Sequence, residues 1–423
     1  MNRMRTACRS VPAWETPVSL RSSFAWTFAG NALYAAGQWA ILSLAAKLGG
    51  AEMLGQYALA LAVTTPAVML AHLNLRAVLA TDVHEAHSFG DYLAARLAAT
   101  GLILAAIAAV AIVSGQSGTM VAAILVMALS QSVENVSDIY YGAMQRRDEM
   151  ARIARSMIAR GLVSAAGFGI ALWITGNLVW ALVAMTAGRL AVLLAFDRPV
   201  GAAGERLERS GWRAELAILR TALPLGVVLM LASLNTNLPR YVIERSLGVR
   251  ELGAFAAVAS FVAVGSTMVN ALGQAATPRL ARHFGAREFG HFRALTFKLA
   301  GAVLALGLAG VLVAAVLGKV VLRLIYRPEY EIYSGLLVGV MCAAVLGYLA
   351  IALGYVLTST RAFNAQVPLF CAVAGSCGLA SWLLVPGLGL PGAVLALAIA
   401  AVVQLGGGAM ILARAFHRTE PAV

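Results

Sequence analysis

Charged side chains are scarce in this sequence. Asp, Glu, Lys and Arg make up 12% of its 423 residues, about half the roughly 25% found in soluble domains. Apolar stretches of about 20 residues recur along the chain, each long enough to cross about 30 Å of hydrocarbon. Alternating segments of about 10 residues, which are typical of a membrane β-barrel, are missing. The composition excludes a soluble domain and predicts an all-α membrane protein with many spans.

Cysteine and histidine are also rare, with four and six residues. Cys8 lies in the polar N-terminus and the other three cysteines lie in apolar stretches, so we expect free thiols rather than a disulfide framework. His84 and His87, in VHEAH, lack both the HExxH spacing and companion ligands, which favours a solvated loop over a zinc site. The sequence therefore predicts no metal site and no cofactor.

The net charge is +13, yet we expect no nucleic-acid partner because the basic residues lie in short segments between apolar runs. With both termini placed in the cytosol, 24 Lys and Arg residues fall on the inner side and 7 on the outer side. Arg76, Arg96 and Arg160 belong to the inner group. This asymmetry agrees with the positive-inside rule for an even number of spans.

Helix breakers between the apolar runs divide the chain into twelve predicted helices. They cover residues 22–47, 53–75, 92–114, 119–144, 152–175, 177–197, 219–247, 252–276, 295–317, 331–358, 366–386 and 390–415. The predicted domains are a cytosolic N-terminal tail (1–21), a six-helix lobe (22–197), a cytosolic linker (198–218), a second six-helix lobe (219–415) and a cytosolic C-terminal tail (416–423).

One short pattern occurs twice. Residues 48–62 read LGGAEMLGQYALALA and residues 247–260 read LGVRELGAFAAVAS. Both copies lie at the outer end of an odd helix, and because six helices separate them they run in the same direction. This predicts parallel repeats, with two lobes related by a pseudo-twofold axis along the membrane normal and a central cleft between them. The alternative is a chance match in a chain rich in Ala, Leu and Gly.

Polar side chains form stripes within two of the predicted spans, at the helical spacing of three or four residues. The stripe residues are Asn31, Tyr34 and Gln38 in helix one, and Ser233, Asn237, Arg240 and Glu244 in helix seven. Because polar groups in a bilayer usually face a protein interior or a wet cavity, these residues other than Glu244 are candidates for binding substrate in the cleft. The alternatives are hydrogen bonds that join helices and, for Arg240 and Glu244, an ion pair within their own helix.

Helix four carries two carboxylates, Glu134 and Asp138, one turn apart within its span. Such a pair requires a cation, a proton or an arginine partner, and Arg189 in helix six is the candidate partner. Glu134, Asp138 and Glu244 are therefore candidates for ion coupling, with simple packing as the alternative. Pro239 removes a backbone hydrogen bond inside helix seven, and it predicts a kink that serves as a hinge.

Several segments resemble bacterial polysaccharide-unit flippases, which belong to the superfamily that also contains multidrug-extrusion transporters. The similar segments are the repeated outer turn, LPLG…SLNTNLPRYVIERSLG at helix seven, SDIYYGAMQRRDEMARIARS after helix four, LIYRPEYEIYSGLL before helix ten and VPGLGLPGAVLA before helix twelve. The resemblance implies a non-enzymatic transporter in the bacterial inner membrane. Its implied substrate is an undecaprenyl-pyrophosphate-linked oligosaccharide, moved by alternating access of the two lobes.

The resemblance also implies partners and a site. Membrane lipids and polysaccharide polymerase machinery are the implied partners besides the lipid-linked oligosaccharide. Members of the family often carry basic residues in the central cavity, and Arg189 and Arg240 are the candidates in this sequence. Two other functions stay open: a proton- or sodium-coupled multidrug or cation exporter of the same fold, and a membrane glycan polymerase or ligase. The short outward loops disfavour the enzyme.

Overall fold

The protein is a bundle of long helices. The computed structural model describes residues 20–82, 87–360 and 363–419, and these are helical throughout apart from short connections. The helices are α1 (Leu20–His72), α2 (Leu75–Thr81), α3 (Phe89–Val113), α4 (Gly118–Arg146), α5 (Met150–Thr175), α6 (Leu178–Val192), α7 (Arg198–Gly201), α8 (Trp212–Leu247), α9 (Val249–Gly285), α10 (Phe289–Ile325), α11 (Ser334–Ser359), α12 (Phe363–Leu388) and α13 (Leu390–Thr419). A π-helical turn, Leu193–Asp197, joins α6 to α7, and a 3-10 helix, Pro328–Tyr333, precedes α11.

Helix α1 contains two membrane spans. Its backbone leaves the helical conformation at Gly50, where φ is 75° and ψ is −173°, a combination open to glycine but costly for residues with a Cβ. Eleven helices among the described residues are long and apolar enough to cross a membrane. With α1 counted as residues 20–49 and 51–72, they supply twelve spans. The predicted all-α, two-lobe membrane fold is confirmed.

Three helices extend six or more residues beyond a predicted end. Helix α8 begins at Trp212 rather than at 219, α9 continues to Gly285 rather than 276, and α10 begins at Phe289 rather than 295. Each predicted span ended where charges or turn residues began, whereas helices can continue outside hydrocarbon. At 1.5 Å per residue, a 37-residue helix such as α9 or α10 is about 55 Å long, well above the roughly 30 Å of the membrane core.

The connections between the helices lie on two opposite faces of the bundle. The basic face, predicted to be cytosolic, carries residues 82, 87 and 88 and the connections 147–149, 202–211 and 286–288. The opposite face carries the connections 114–117, 176–177, 248 and 326–333. The predicted 1–21 tail up to residue 19, together with Cys8 and His84, lies outside the described residues.

The lobes meet close to the opposite face, where the two copies of the repeated pattern contact each other. A Cβ on Gly55 would overlap the carbonyl oxygen of Val249, and a Cβ on Gly253 would overlap the carbonyl oxygen of Ala51. Trp39 Nε1 also donates to Ser260 Oγ at 3.1 Å. Each turn contacts the backbone of the other in the same way, as a twofold axis requires. The repeated glycines therefore allow the two turns to approach to backbone contact. We call this contact the glycine seal.

Further bonds between the lobes lie near the same face. Ser43 donates to the carbonyl of Ile325 at 2.6 Å, and Arg327 Nε donates to the carbonyl of Lys47 at 2.9 Å. One hydrophobic cluster there includes residues from many helices of both lobes, whereas toward the basic face the apolar core divides into separate clusters and the first-lobe cluster includes only the beginning of α8, at Ile218, Leu219 and Ala222. The structure is therefore closed toward the opposite face.

A polar cavity in the N-terminal lobe

A cavity of about 300 Å³ lies within the first lobe, and its lining residues come from α1, α2, α4, α5 and α6. The polar lining residues are Tyr34, Gln38, Tyr57, Thr65, His72, Arg76, Gln131, Glu134, Asn135, Asp138, Tyr141, Arg160 and Arg189. The cavity thus extends along the second half of α1 to Arg76 at the beginning of α2. A polar space of this kind can hold hydroxyl-bearing or anionic groups that hydrocarbon excludes.

An ion pair marks the deep part of the cavity. Arg189 NH1 lies 2.9 Å from Glu134 Oε2, and Arg189 NH2 donates to Gln38 Oε1 at 3.3 Å. Tyr34 donates its hydroxyl proton to the other oxygen of Glu134. The Arg189 side chain is 4% exposed and that of Glu134 is 32% exposed. The carboxylate therefore offsets a buried guanidinium while one side of the pair still faces the cavity.

Close packing of α1 against α5 places Tyr34 and Gln38 in this network. A Cβ on Gly37 would come within 2.9 Å of the Cα of Gly161. Small residues at a helix crossing allow two backbones to approach in a membrane. The crossing therefore brings the polar stripe of α1 against α5 and α6.

Arg160 is held by a second buried carboxylate. Its NH2 lies 2.8 Å from Asp197 Oδ2 and donates to Tyr141 Oη at 2.7 Å. Ser156 donates to the other oxygen of Asp197. Asp197 closes the π-helical turn after α6, and such turns often occur at functional sites. Arg160 lines the cavity, but its charge is matched by Asp197.

Asp138 lies at the end of the cavity nearer the basic face and has three cationic or imidazole neighbours. It lies 3.1 Å from His72 Nε2, 3.5 Å from Arg76 NH1 and 3.6 Å from Arg96 NH2. Arg96 is fully buried and donates to the carbonyls of Ala71 and His72, at 3.2 and 2.7 Å. It therefore caps the end of α1 and holds His72 beside Asp138.

The turn between α1 and α2 is conformationally unusual. Leu73 and Asn74 both have positive φ, at 51° and 50°. Asn adopts this region with some ease, whereas Leu adopts it at a cost. Strained backbone of this kind occurs at functional sites when the surroundings enforce it, and this turn carries His72 and Arg76 on its two sides.

The stripe of α8 lies apart from this cavity. Asn237 donates to the carbonyl of Ser233 at 2.9 Å, and Arg240 donates to Asn237 Oδ1 at 3.2 Å. Instead of pairing with Arg240, Glu244 accepts a bond from Gln116 at 3.3 Å. Among the described residues, none from α8 lines the cavity.

Two further sequence candidates have local surroundings of their own. Asn31, the first stripe residue of α1, is exposed and donates to the carbonyl of Thr27 at 2.8 Å. Pro239 is buried within α8, where it leaves the carbonyl of Asn235 without its usual helical donor. The thiol of Cys377 in α12 donates to that carbonyl at 3.3 Å, so the interrupted backbone bond is replaced from a neighbouring helix.

Sequence reasoning missed several residues of the cavity. Arg76, Arg96 and Arg160 were grouped with the inner basic residues that set orientation, and His72 and Asp197 were not singled out. A usable signal was the position of Arg160, eleven residues into its helix, which is too deep for a loop charge. The partnership of Arg96 with the end of α1 depends on tertiary packing and has no local signature.

Comparison with known proteins places this architecture in a family. The family model described as "Polysaccharide biosynthesis protein" matches residues 23–284, more than half of the chain. The chain belongs to this family. Its similarity extends to the capsular polysaccharide biosynthesis protein CapF of Staphylococcus aureus, at 26% identity over 90% of this chain and 96% of CapF.

Solved transporter structures share the fold. An inward-facing multidrug resistance MATE family transporter of the MOP superfamily superposes with a TM-score of 0.75, at 13% identity over 94% of this chain and 100% of that one. The lipid II flippase MurJ, in an inward closed conformation, gives 0.73 at 11% identity over 94% and 89%. The expected membership in a polysaccharide biosynthesis family is confirmed, and the chain shares its fold with these two solved membrane transporters.

Proposed function

We propose that the protein is a flippase that moves undecaprenyl-pyrophosphate-linked oligosaccharides across the bacterial inner membrane for assembly of a surface polysaccharide. The observation that carries the proposal is the polar cavity bearing Arg76, Arg160 and Arg189 in a member of the polysaccharide biosynthesis family. CapF and MurJ, named for capsular polysaccharide biosynthesis and for lipid II, support the same class of substrate.

The physical task is to carry a hydrophilic head group through hydrocarbon. Unpaired polar groups in an apolar environment cost several kcal/mol each, so the sugar and phosphates need a polar route while the prenyl chain stays in lipid. The cavity offers amide, phenol and hydroxyl groups for sugar hydroxyls and guanidinium groups for phosphate oxygens. No covalent step is needed, and the protein acts as a transporter rather than an enzyme.

In the proposed alternating-access cycle, the glycine seal is the contact that closes the opposite face and then opens it. With the seal closed, substrate enters from the basic face, which is the cytosolic face in this proposal, with both termini on that side. The seal then opens while the ends of the two lobes at the basic face approach each other, and the cavity becomes exposed to the opposite face. Pro239 serves as a hinge in this movement because its helix lacks one backbone bond.

The proposed binding residues fall into two groups. Tyr34, Gln38 and Arg189 contact the head group within the cavity. Arg240, whose neighbour Tyr241 donates its hydroxyl proton to the carbonyl of Ala62 in α1, acts from the opposite-face half of the cleft once the seal opens. Asn31, Ser233, Asn237 and Glu244 are assigned to the walls of that cleft.

The rival function is a cation-coupled drug exporter of the same fold, which would use Glu134 and Asp138 to bind a proton or sodium ion. Arg189 already occupies the position beside Glu134, and His72, Arg76 and Arg96 surround Asp138. A cation would therefore have to displace Arg189 at Glu134, and the positive charges of Arg76 and Arg96 would repel it at Asp138. This electrostatic arrangement favours an anionic substrate.

The test is to delete the gene in its native bacterium and follow lipid-linked oligosaccharide in membrane vesicles of known orientation. We expect these units to accumulate on the cytosolic leaflet, where a glycosidase reaches them only in inverted vesicles. Complementation with the wild type should clear them, and Arg189→Gln should not. If no units accumulate and the deletion instead sensitises cells to cationic drugs, the exporter is correct.

A further inference from the structure

The charges along the cavity are not evenly matched. In the deep part, Arg189 faces Glu134 and Arg160 faces Asp197, so each guanidinium has a carboxylate of its own. Toward the basic face, Asp138 is the one carboxylate among the described residues that pairs with Arg76, Arg96 and the imidazole of His72. The excess of positive charge is therefore at the Asp138 end, and the deep part is electrically balanced.

We propose that the cavity is divided into two subsites, with the diphosphate of the carrier lipid bound at His72 and Arg76 and the sugars bound deeper, beside Glu134 and Arg189. This assignment rests on the proposed function. In the conformation closed toward the opposite face, the diphosphate is bound by His72 and Arg76 rather than by the sequence candidates Arg189 and Arg240.

The depth of His72 agrees with this division. The second span of α1 covers residues 51–72, about 33 Å of helix, which is close to the thickness of the hydrocarbon core. His72 therefore ends the span near the headgroup level of the basic-face leaflet. A diphosphate joined to a prenyl chain has to stay near that level, whereas the sugars beyond it can extend inward.

The mouth of the cavity is accessible to such a group. The side chains of His72 and Arg76 are 21% and 29% exposed, whereas Arg96 is fully buried behind them. Arg76 Nε donates to Gln145 Oε1 at 2.9 Å, and the guanidinium lies over the ring of Tyr141, so its position is fixed although part of the side chain is exposed. Arg96 is a positioning residue in this proposal because it holds the end of α1.

The deep part has the hydrogen-bonding groups that neutral sugars require. Gln38 Nε2 and Gln131 Oε1 are buried without a hydrogen-bond partner, although both residues line the cavity. Buried polar atoms normally have partners, so an unpartnered donor and an unpartnered acceptor beside a polar space indicate a ligand with hydroxyl groups.

The experiment measures binding of inorganic pyrophosphate to the purified full-length protein by isothermal titration calorimetry in magnesium-free buffer. Arg76→Gln should weaken binding by roughly tenfold or more, as expected for loss of a charge-assisted contact. Arg282→Gln, which removes an exposed arginine at the basic end of α9, is the matched control and should change binding by less than about threefold. His72→Gln is the second variant if Arg76→Gln fails to fold.

Two further variants test the location. The double variant E134Q/R189Q and Arg240→Gln should bind pyrophosphate within about threefold of the wild type. Pyrophosphate binding that survives Arg76→Gln and His72→Gln, or that is lost on changing Arg189 or Arg240, would overturn the assignment. Orthophosphate is titrated in parallel, and binding as tight as that of pyrophosphate would show a general phosphate site and also contradict it.

The pyrophosphate titration and the deletion experiment can fail independently of each other. Loss of pyrophosphate binding in Arg76→Gln without any accumulation of lipid-linked oligosaccharide in the deletion strain would keep the anion site and reject the flippase. Accumulation in the deletion strain, with pyrophosphate binding unaffected by Arg76→Gln, would keep the flippase and reject this subsite.

Discussion

At the scale of single residues, the first lobe holds ionised side chains that hydrocarbon would exclude, and each has a named partner. Arg189 is paired with Glu134, and Arg160 with Asp197. Removing one partner of a buried pair leaves an uncompensated charge, which costs more than the pair itself contributes. The residues proposed to bind substrate are thus also the residues whose individual loss threatens folding.

The Glu134–Arg189 pair allows this to be measured. Glu134→Gln alone should lower the free energy of unfolding by about 2–3 kcal/mol, below the about 3–5 kcal/mol of fully buried pairs, because Glu134 is 32% exposed. Adding Arg189→Gln should restore much of that loss. Thermal unfolding of the wild type, the two single variants and the double variant gives the coupling free energy between Glu134 and Arg189. Strictly additive effects of the two substitutions would show that the two charges do not depend on each other.

Residue-level prediction from the sequence was uneven for a physical reason. Tyr34, Gln38, Glu134 and Arg189 were candidates because polar groups inside an apolar span are conspicuous, and the structure brings these four together. Arg76 and Arg96 lie near predicted span ends, where basic residues are ordinary. Only the folded path of α1 shows that both converge on Asp138.

At the scale of elements, the repeated turn has a structural use that a single copy could not provide. Gly55 and Gly253 each face the backbone of the other turn, so both copies need a residue without Cβ. The repeat in the sequence predicted two like-oriented halves. It could not predict that the two turns touch, because contact between them depends on which conformation the lobes adopt.

Replacing one glycine of the seal should separate the two turns. In Gly253→Val, the side chain would overlap the carbonyl of Ala51, and the seal should open. A cysteine at position 260 should then react faster with a membrane-impermeant maleimide applied from the opposite face. Gly347→Val, at a helical position with open space around it, is the control. Equal labelling in both variants would mean that the glycines do not hold the seal.

At the scale of the whole molecule, the fold was more predictable than its conformation. Twelve spans follow from apolar length, because each segment must satisfy its backbone hydrogen bonds as a helix within lipid. The two lobes follow from the repeat. Which face is closed, and where the cavity lies, depend on tertiary contacts such as Trp39 with Ser260, and these have no local pattern.

The proposed transport requires the two lobes to rock, so that the cavity of the first lobe is presented to one face and then to the other. Spin-label pairs on exposed positions report this directly: Arg152 with Ala286 at the basic face, and Gly118 with Ile332 at the opposite face. The labels are introduced as cysteines in a background without Cys8, Cys342 and Cys371 and with Cys377→Ser, which keeps a donor for the carbonyl of Asn235.

Double electron–electron resonance in nanodiscs then compares the wild type with Gly253→Val. Rocking of the lobes should lengthen the 118–332 distance in the variant and shorten the 152–286 distance, because opening one face closes the other. If both distances lengthen together, or if neither changes in a variant that still exports lipid-linked oligosaccharide, the lobes do not alternate between the two faces.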